Sequence, residues 1–359
     1  RFTCSAIASR KTNSKHKSPM GRHGYAPRLK LDLSRNRYDS SSSLCQAGLL
    51  QFLEKARLVT TQPRLSGSKP RLADGRRRTL NDYPTPPWAT RAFLAHLGRA
   101  TLEGRSIVEP AANRGMMAEV LREVSGAAVF ASDVEDYGVG YPVGSFVGEG
   151  PDVIRLPRRV DWIITNPPFA LAEDFLARAL DVASLGVAFL LRTSFLEGAA
   201  RAASVFERRP PSRVVICTER VPIVLGRWDP CVSTAMSYAW FVWQKGAAGP
   251  GTIEWIARGA RKRFTLAADA LRFRARHEFE LVAVDGEARD PARLFQSIVA
   301  AERSFRVASG WPGSVKATIG EPVATDKFRP TVKTIRVAIE ASADECQVER
   351  GPLFDEAVA

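Results

Sequence analysis

Asn166-Pro167-Pro168-Phe169 offers an amide side chain, a carbonyl and an aromatic ring at one stiff turn. Asn166 and Pro167 each precede a proline and are steered away from the α region, while each proline ring fixes its own φ. The tetrapeptide closes an apolar run, Val160 to Thr165, and opens a helical segment, Leu171 to Ser184. It therefore falls at the carboxyl end of a strand, where open α/β sheets bind ligands. A rigid, non-helical turn of this composition suits gripping a flat planar amine.

Three further segments carry candidate chemistry. Asp82-Tyr83-Pro84-Thr85-Pro86 precedes the first expected helix. Val108-Glu109-Pro110-Ala111-Ala112-Asn113-Arg114-Gly115 joins the first strand to its helix, and Ala131-Ser132-Asp133 puts an acid at the end of the next strand. Taken singly, each has an ordinary explanation. A Thr-Pro-Pro or Asn-Pro-Pro triplet is a turn, an acid after a strand caps a helix, and a loop glycine permits positive φ. Together, in this order and at successive strand ends, they argue for one site.

In these residues the sequence resembles the class I S-adenosylmethionine-dependent amino-methyltransferases, particularly the DNA adenine-N6 type and its small phage- and prophage-like members. The resemblance runs from about Asn81 to Trp255. It includes Leu190 to Gly198 and the aromatic stretch Ser237 to Trp243, with Asn-Pro-Pro-Phe its most specific part. It implies S-adenosylmethionine as cofactor. Glu109 and the loop through Pro110, Ala111, Asn113 and Gly115 would hold the cofactor's amino-acid moiety, and Asp133 would accept the ribose hydroxyls. Tyr83, Thr85 and Pro86 match the segment that closes over the methionine end, and Asp152 is the expected acceptor for the adenine amino group. Asn113 stands where the family pattern has glycine, and Asn tolerates left-handed backbone better than most residues.

The same resemblance assigns the target amine to the tetrapeptide. Asn166 Oδ1 and the Pro167 carbonyl would each accept one N–H, Pro168 would stiffen the turn, and Phe169 would stack on the base. An exocyclic base amine is a poor nucleophile because its lone pair is conjugated into the ring. Two acceptors stabilise the charge that develops on nitrogen and orient its lone pair. An Asn first and a Phe fourth favour adenine N6, whereas cytosine-N4 enzymes more often begin with Ser. DNA is thus the expected partner. Methylation of RNA or of a protein glutamine remains open, as does a non-catalytic nucleic-acid-binding module on the same fold. The intact tetrapeptide argues against that module and Asn113 argues mildly for it. Arg192, Arg208, Arg209, Arg213, Arg220 and Arg227 could flank a nucleic-acid cleft, or be ordinary solvated loop arginines.

Positioning such a site requires alternating strands and helices. The pattern predicts helices over Leu44–Leu58, Trp88–Ala100, Met116–Val124, Leu171–Ser184 and near Pro291–Arg303. Strands are expected over Ser106–Glu109, Ala128–Ser132, Val160–Thr165, Gly186–Arg192, Arg213–Thr218 and Met236–Trp243, with an edge strand at Thr252–Ile256. Alternation of this kind argues for a mostly parallel sheet with helices on both faces. The resemblance sharpens the fold class to α/β, a Rossmann-like seven-stranded methyltransferase sheet whose last strand is antiparallel. The expected domains are a basic, disordered N-terminal arm and linker over 1–80, the methyltransferase domain over 81–262, and a weakly defined C-terminal region over 263–359.

The net charge of +14 suggests nucleic acid until it is mapped. Residues 1–80 hold 18 Lys/Arg against 4 Asp/Glu, so the whole excess lies there and the remainder is neutral. That Ser- and Arg-rich segment reads as a disordered leader before it reads as a phosphate-tracking arm, and a transit-type targeting segment has a similar composition. Five scattered cysteines with no CxxC pair, and four dispersed histidines, point away from a metal site or a disulfide framework. A cytoplasmic setting is expected. No apolar run approaches the ~18 residues of a membrane span.

Overall fold

In the computed structural model, residues 29–32, 57–61, 82–249, 251–284, 291–319, 323–324 and 332–343 are described. The chain divides into two units, Leu65–Ala275 and Arg1–Arg64 with Arg276–Ala359.

The first unit carries the expected α/β core. Numbered within this unit, its strands are β1 (Ser106–Glu109), β2 (Ala128–Ala131), β3 (Trp162–Thr165), β4 (Gly186–Arg192), β5 (Arg213–Cys217), β6 (Tyr238–Gln244) and β7 (Thr252–Ile256). They form one seven-stranded sheet in the order β2-β1-β3-β4-β6-β5-β7. All pairs are parallel except those of β6, which lies antiparallel between β4 and β5. The antiparallel strand is thus the expected aromatic one. It is not last, because β7 follows it and adds a parallel edge. This strand order, with its single antiparallel insertion, is the Rossmann-like methyltransferase sheet.

Helices α1 (Pro87–Leu97), α2 (Met116–Ser125) and α3 (Ala172–Val182) cover its two faces. On one face Phe93 of α1 stacks on Trp240 of β6, with ring centroids 4.2 Å apart. On the other, Phe175, Leu176 and Ala179 of α3 join Val108, Ile163, Phe189 and Phe241 in one buried cluster. Each fully buried large side chain of this kind contributes about 1.5–3 kcal/mol. Gly186 opens β4 because a Cβ there would come within 2.6 Å of the Trp162 ring.

Asp161 ties together the starts of β1, β3 and β4. Its carboxylate accepts Ser106 N–H at 2.9 Å, Ser184 Oγ at 3.0 Å and Arg159 Nε at 3.0 Å. Burial raises its pKa, but these donors outweigh that and hold it at about 2. With the strand starts tied together, their carboxyl ends, which carry the site, are held in register.

The unit extends past residue 262. Buried Arg91 of α1 makes a two-pronged pair with Asp269 at 2.6 and 2.8 Å, and it reaches the Phe264 carbonyl at 3.2 Å.

The second unit is an antiparallel sheet in the order Leu29–Asp32, Val315–Ile319, Val332–Ala341, Arg276–Val284, Arg57–Thr61, with Val323–Ala324 beside Val332–Ala341. Helix Pro291–Ser309 accompanies it and buries Ile298 and Phe305. Two pieces of the expected arm, Leu29–Asp32 and Arg57–Thr61, are therefore strands. The helix expected over Leu44–Leu58 lies outside the described residues except for Arg57 and Leu58, which begin a strand. The expected linker also lies outside them. No helix among the described residues is long and apolar enough to cross a membrane.

Candidate active site

The chain leaves β1 for β2 on one side and returns to β3 on the other, so the strand order reverses beside β1. Open α/β sheets bind ligands in the crevice at such a point. A cavity lies there, lined by Tyr83, Thr85, Glu109, Pro110, Ala111, Asn113, Asp133, Asn166, Pro167, Pro168 and Phe169, all expected from the sequence.

Its acidic end is built by the β1 and β2 termini. Ser132 N–H donates to the Glu109 carbonyl at 3.0 Å and Ala112 N–H to the Ser132 carbonyl at 2.9 Å, so the loop after β1 runs on beside β2. Asp133 Oδ2 accepts Asn113 N–H at 2.8 Å and Oδ1 accepts Glu135 N–H at 3.1 Å. The Val134 N–H also bonds this carboxylate, so three of its roughly four acceptor positions are taken and one is left for a ligand hydroxyl. Burial raises the Asp133 pKa despite these bonds.

Glu109 is buried, and its Oε2 has no hydrogen-bond partner. Burial pushes its carboxyl well above the usual range, and the Asp133 charge adds to this. Arg122 and the Ala118 N–H oppose the shift only in part. A buried acceptor left unpaired is costly unless a ligand satisfies it.

Gly115 ends the loop at φ 83° and caps α2. A Cβ there would stand 2.5 Å from the Tyr141 hydroxyl, so that ring would have to shift, and the positive φ is what asks for glycine. Asn113 takes a left-handed backbone at φ 51°.

The amide end lies across the cavity. Asn166 Nδ2 donates to Thr85 Oγ1 at 3.2 Å and to the Tyr83 carbonyl at 3.4 Å. Its Oδ1 is buried and has no partner. Pro168 is extended (φ −60°, ψ 124°), and Phe169 starts a short 3-10 turn before α3. The guanidinium carbon of Arg192 sits 4.5 Å over the Phe169 ring, and the Tyr238 ring lies 6.3 Å from it.

Three expected residues do not line the cavity. Pro86 is buried behind it at the start of α1, where its carbonyl accepts Ala89 N–H. Gly115 acts through the loop's shape. Asp152 is exposed, and its backbone carbonyl accepts Ser145 N–H at 2.8 Å. Of the arginines, Arg192 reaches the site. Arg220 bonds Ser237, Arg227 pairs with Asp229, Arg209 with Asp181, and Arg213 forks onto Glu254 at the far end of β5.

The sequence reading missed Met116, Met117, Tyr137, Phe146, Val147 and Phe175 in the lining. Met116 and Met117 directly follow Gly115 and could have been found from that spacing. Tyr137, Phe146 and Val147 lie in an irregular segment that joins β2 to β3 through isolated bridges such as Asp133–Val143, and nothing periodic marks them.

The cavity is thus lined by two acids, Glu109 and Asp133, by an apolar wall from Met116, Met117 and Phe146, and by Asn166, whose buried Oδ1 has no partner. No protein-family model matches the sequence, and no curated protein does. Among solved structures, a type I restriction-modification system methyltransferase subunit from Streptococcus thermophilus is similar at 15% identity, over 46% of each chain, with a TM-score of 0.35. Magnesium protoporphyrin IX methyltransferase from Synechocystis PCC 6803, solved with bound SAM, is similar at 11% identity over 45% of this chain and 79% of that one, with a TM-score of 0.30. This chain therefore spans less than half the length of the first. At such scores neither likeness adds weight to the strand order itself.

Proposed function

We propose that the chain is an S-adenosylmethionine-dependent methyltransferase acting on an exocyclic amine, adenine N6 in DNA. The single observation that carries this reading is Asn166. Its Nδ2 is tied to Thr85 and Tyr83, which leaves a buried, unpartnered Oδ1 at the carboxyl end of β3.

The residues present fit the cofactor. Glu109 offers an unpaired carboxyl oxygen to a cationic amino group. Asp133, held by three backbone donors, keeps an acceptor position for a ribose hydroxyl, and Phe146 and Val147 provide an apolar wall for a planar ring. When bound, S-adenosylmethionine supplies an electrophilic methyl group. Asn166 Oδ1 and the Pro167 carbonyl accept the two N–H groups of the target amine. They turn its lone pair toward the methyl carbon and stabilise the positive charge that grows on nitrogen. Phe169 stacks on the base, which in duplex DNA must first be extruded at a cost of a few kcal/mol.

Radiolabelled S-adenosylmethionine with the purified full chain and unmethylated DNA tests the reading. Label in DNA, recovered as N6-methyladenine after digestion, is the expected outcome. Label in RNA or in protein but not in DNA would sink the substrate assignment while keeping the reaction class.

A further inference from the structure

Asn113 and Arg274 are the residues other than glycine with a left-handed backbone among those described. Such a backbone is costly for a residue with a Cβ unless its surroundings fix it. Three bonds fix Asn113. Its N–H donates to Asp133 Oδ2 at 2.8 Å, its Oδ1 accepts Arg114 N–H at 2.7 Å, and its Nδ2 donates to Asp82 Oδ1 at 3.0 Å. Asp82 is buried, and its Oδ2 also takes Arg114 Nη2 at 2.8 Å. The Asp82 carbonyl accepts Gly226 N–H at 2.7 Å, which roots this carboxylate outside the loop it holds.

We infer that Asp82 is a positioning residue for the cofactor loop. It makes asparagine serviceable at a position that otherwise asks for glycine, and it presents the backbone between Glu109 and Asp133 in binding geometry. The functional consequence rests on the methyltransferase reading, whereas the clamp is a property of the ligand-free chain.

A double-mutant cycle separates this role from a general structural one. Asp82→Ala and Asp82→Asn are each made in the natural sequence and in an Asn113→Gly background. Two quantities are read: the S-adenosylmethionine Kd by calorimetry, and amide hydrogen exchange over 112–115 without cofactor. In the natural sequence Asp82→Ala should weaken binding on the order of tenfold and speed loop exchange, from the loss of buried hydrogen bonds to a charged acceptor. In the Asn113→Gly background both effects should shrink to about threefold or less, since glycine needs no clamp at this dihedral. Asp82→Asn keeps an acceptor for Asn113 and should fall between, which preserves the test if the alanine variant misfolds. Equal losses in both backgrounds, or none, would overturn the inference. If the natural sequence binds no cofactor, the methyltransferase reading fails instead. The clamp is then judged by exchange alone, and unchanged loop exchange in Asp82→Ala would overturn it.

Discussion

Asn166 Nδ2 lies 3.2 Å from Thr85 Oγ1, and this bond sets which way the amide faces. With its nitrogen committed to the segment ahead of α1, the oxygen is the atom left for a ligand. Thr85 belongs to the wall of the same cavity, so the turn after β3 and the entry to α1 act as one unit.

Thr85→Val removes that bond and leaves the amide held by the Tyr83 carbonyl alone, at 3.4 Å, so its facing is loosened. Methyl transfer should fall by about tenfold or more in kcat, since small misplacements at a reacting group are costly. Thr85→Ser, which keeps the hydroxyl, should recover most of the rate. Steady-state kinetics on the three proteins checks this.

Glu109 should make cofactor binding depend on pH. Burial beside Asp133 holds its carboxyl well above the usual range, so in the empty site it keeps its proton to higher pH. A cationic amino group needs the carboxylate. Affinity should therefore rise with pH through the ligand-free pKa of Glu109, and binding should release a proton. The ligand-free fold should show the opposite trend. Its Glu109 binds a proton more tightly than the unfolded chain does, so that contribution is full at low pH and is lost as pH rises through the folded pKa. Calorimetry in two buffers of different ionisation enthalpy reads the proton, and Glu109→Gln should abolish its release.

Asp161 should govern stability under acid. Its pKa of about 2 lies below the ordinary carboxylate value, so its contribution is present above about 4 and fades as pH falls toward 2. Asp161→Ala leaves the Ser106 N–H unpaired and should cost about 3 kcal/mol at neutral pH. It should also flatten the acid limb of the stability profile, as read by denaturant titration.

Gly115→Ala places a methyl group against Tyr141 at φ 83°. Strain of about 1–3 kcal/mol is expected, with cofactor affinity falling more steeply than the melting temperature. Differential scanning calorimetry with and without cofactor separates the two effects.

The core was legible because its strands are short apolar runs bounded by turn residues. Ser106–Glu109, Gly186–Arg192 and Thr252–Ile256 stand where the pattern put them. The residues lining the cavity at strand ends were legible for the same reason. The second sheet was not, because Leu29–Asp32 and Arg57–Thr61 pair with strands more than two hundred residues further along the chain. Local composition there shows only charge. The bond between Asp82 and Asn113 was equally hidden, since it joins two loops and leaves no periodic trace. Asp152 illustrates the converse: a carboxylate in a plausible loop, whose place is decided by its backbone carbonyl.

The most direct test of the account sets Asn166→Ala beside the natural sequence, with cofactor binding and methyl transfer measured on the same preparations. Loss of the amide oxygen should lower transfer to DNA by about 10²-fold or more while S-adenosylmethionine still binds with a Kd within a few-fold. Transfer that persists at the natural rate, with the cofactor equally well bound, would contradict it.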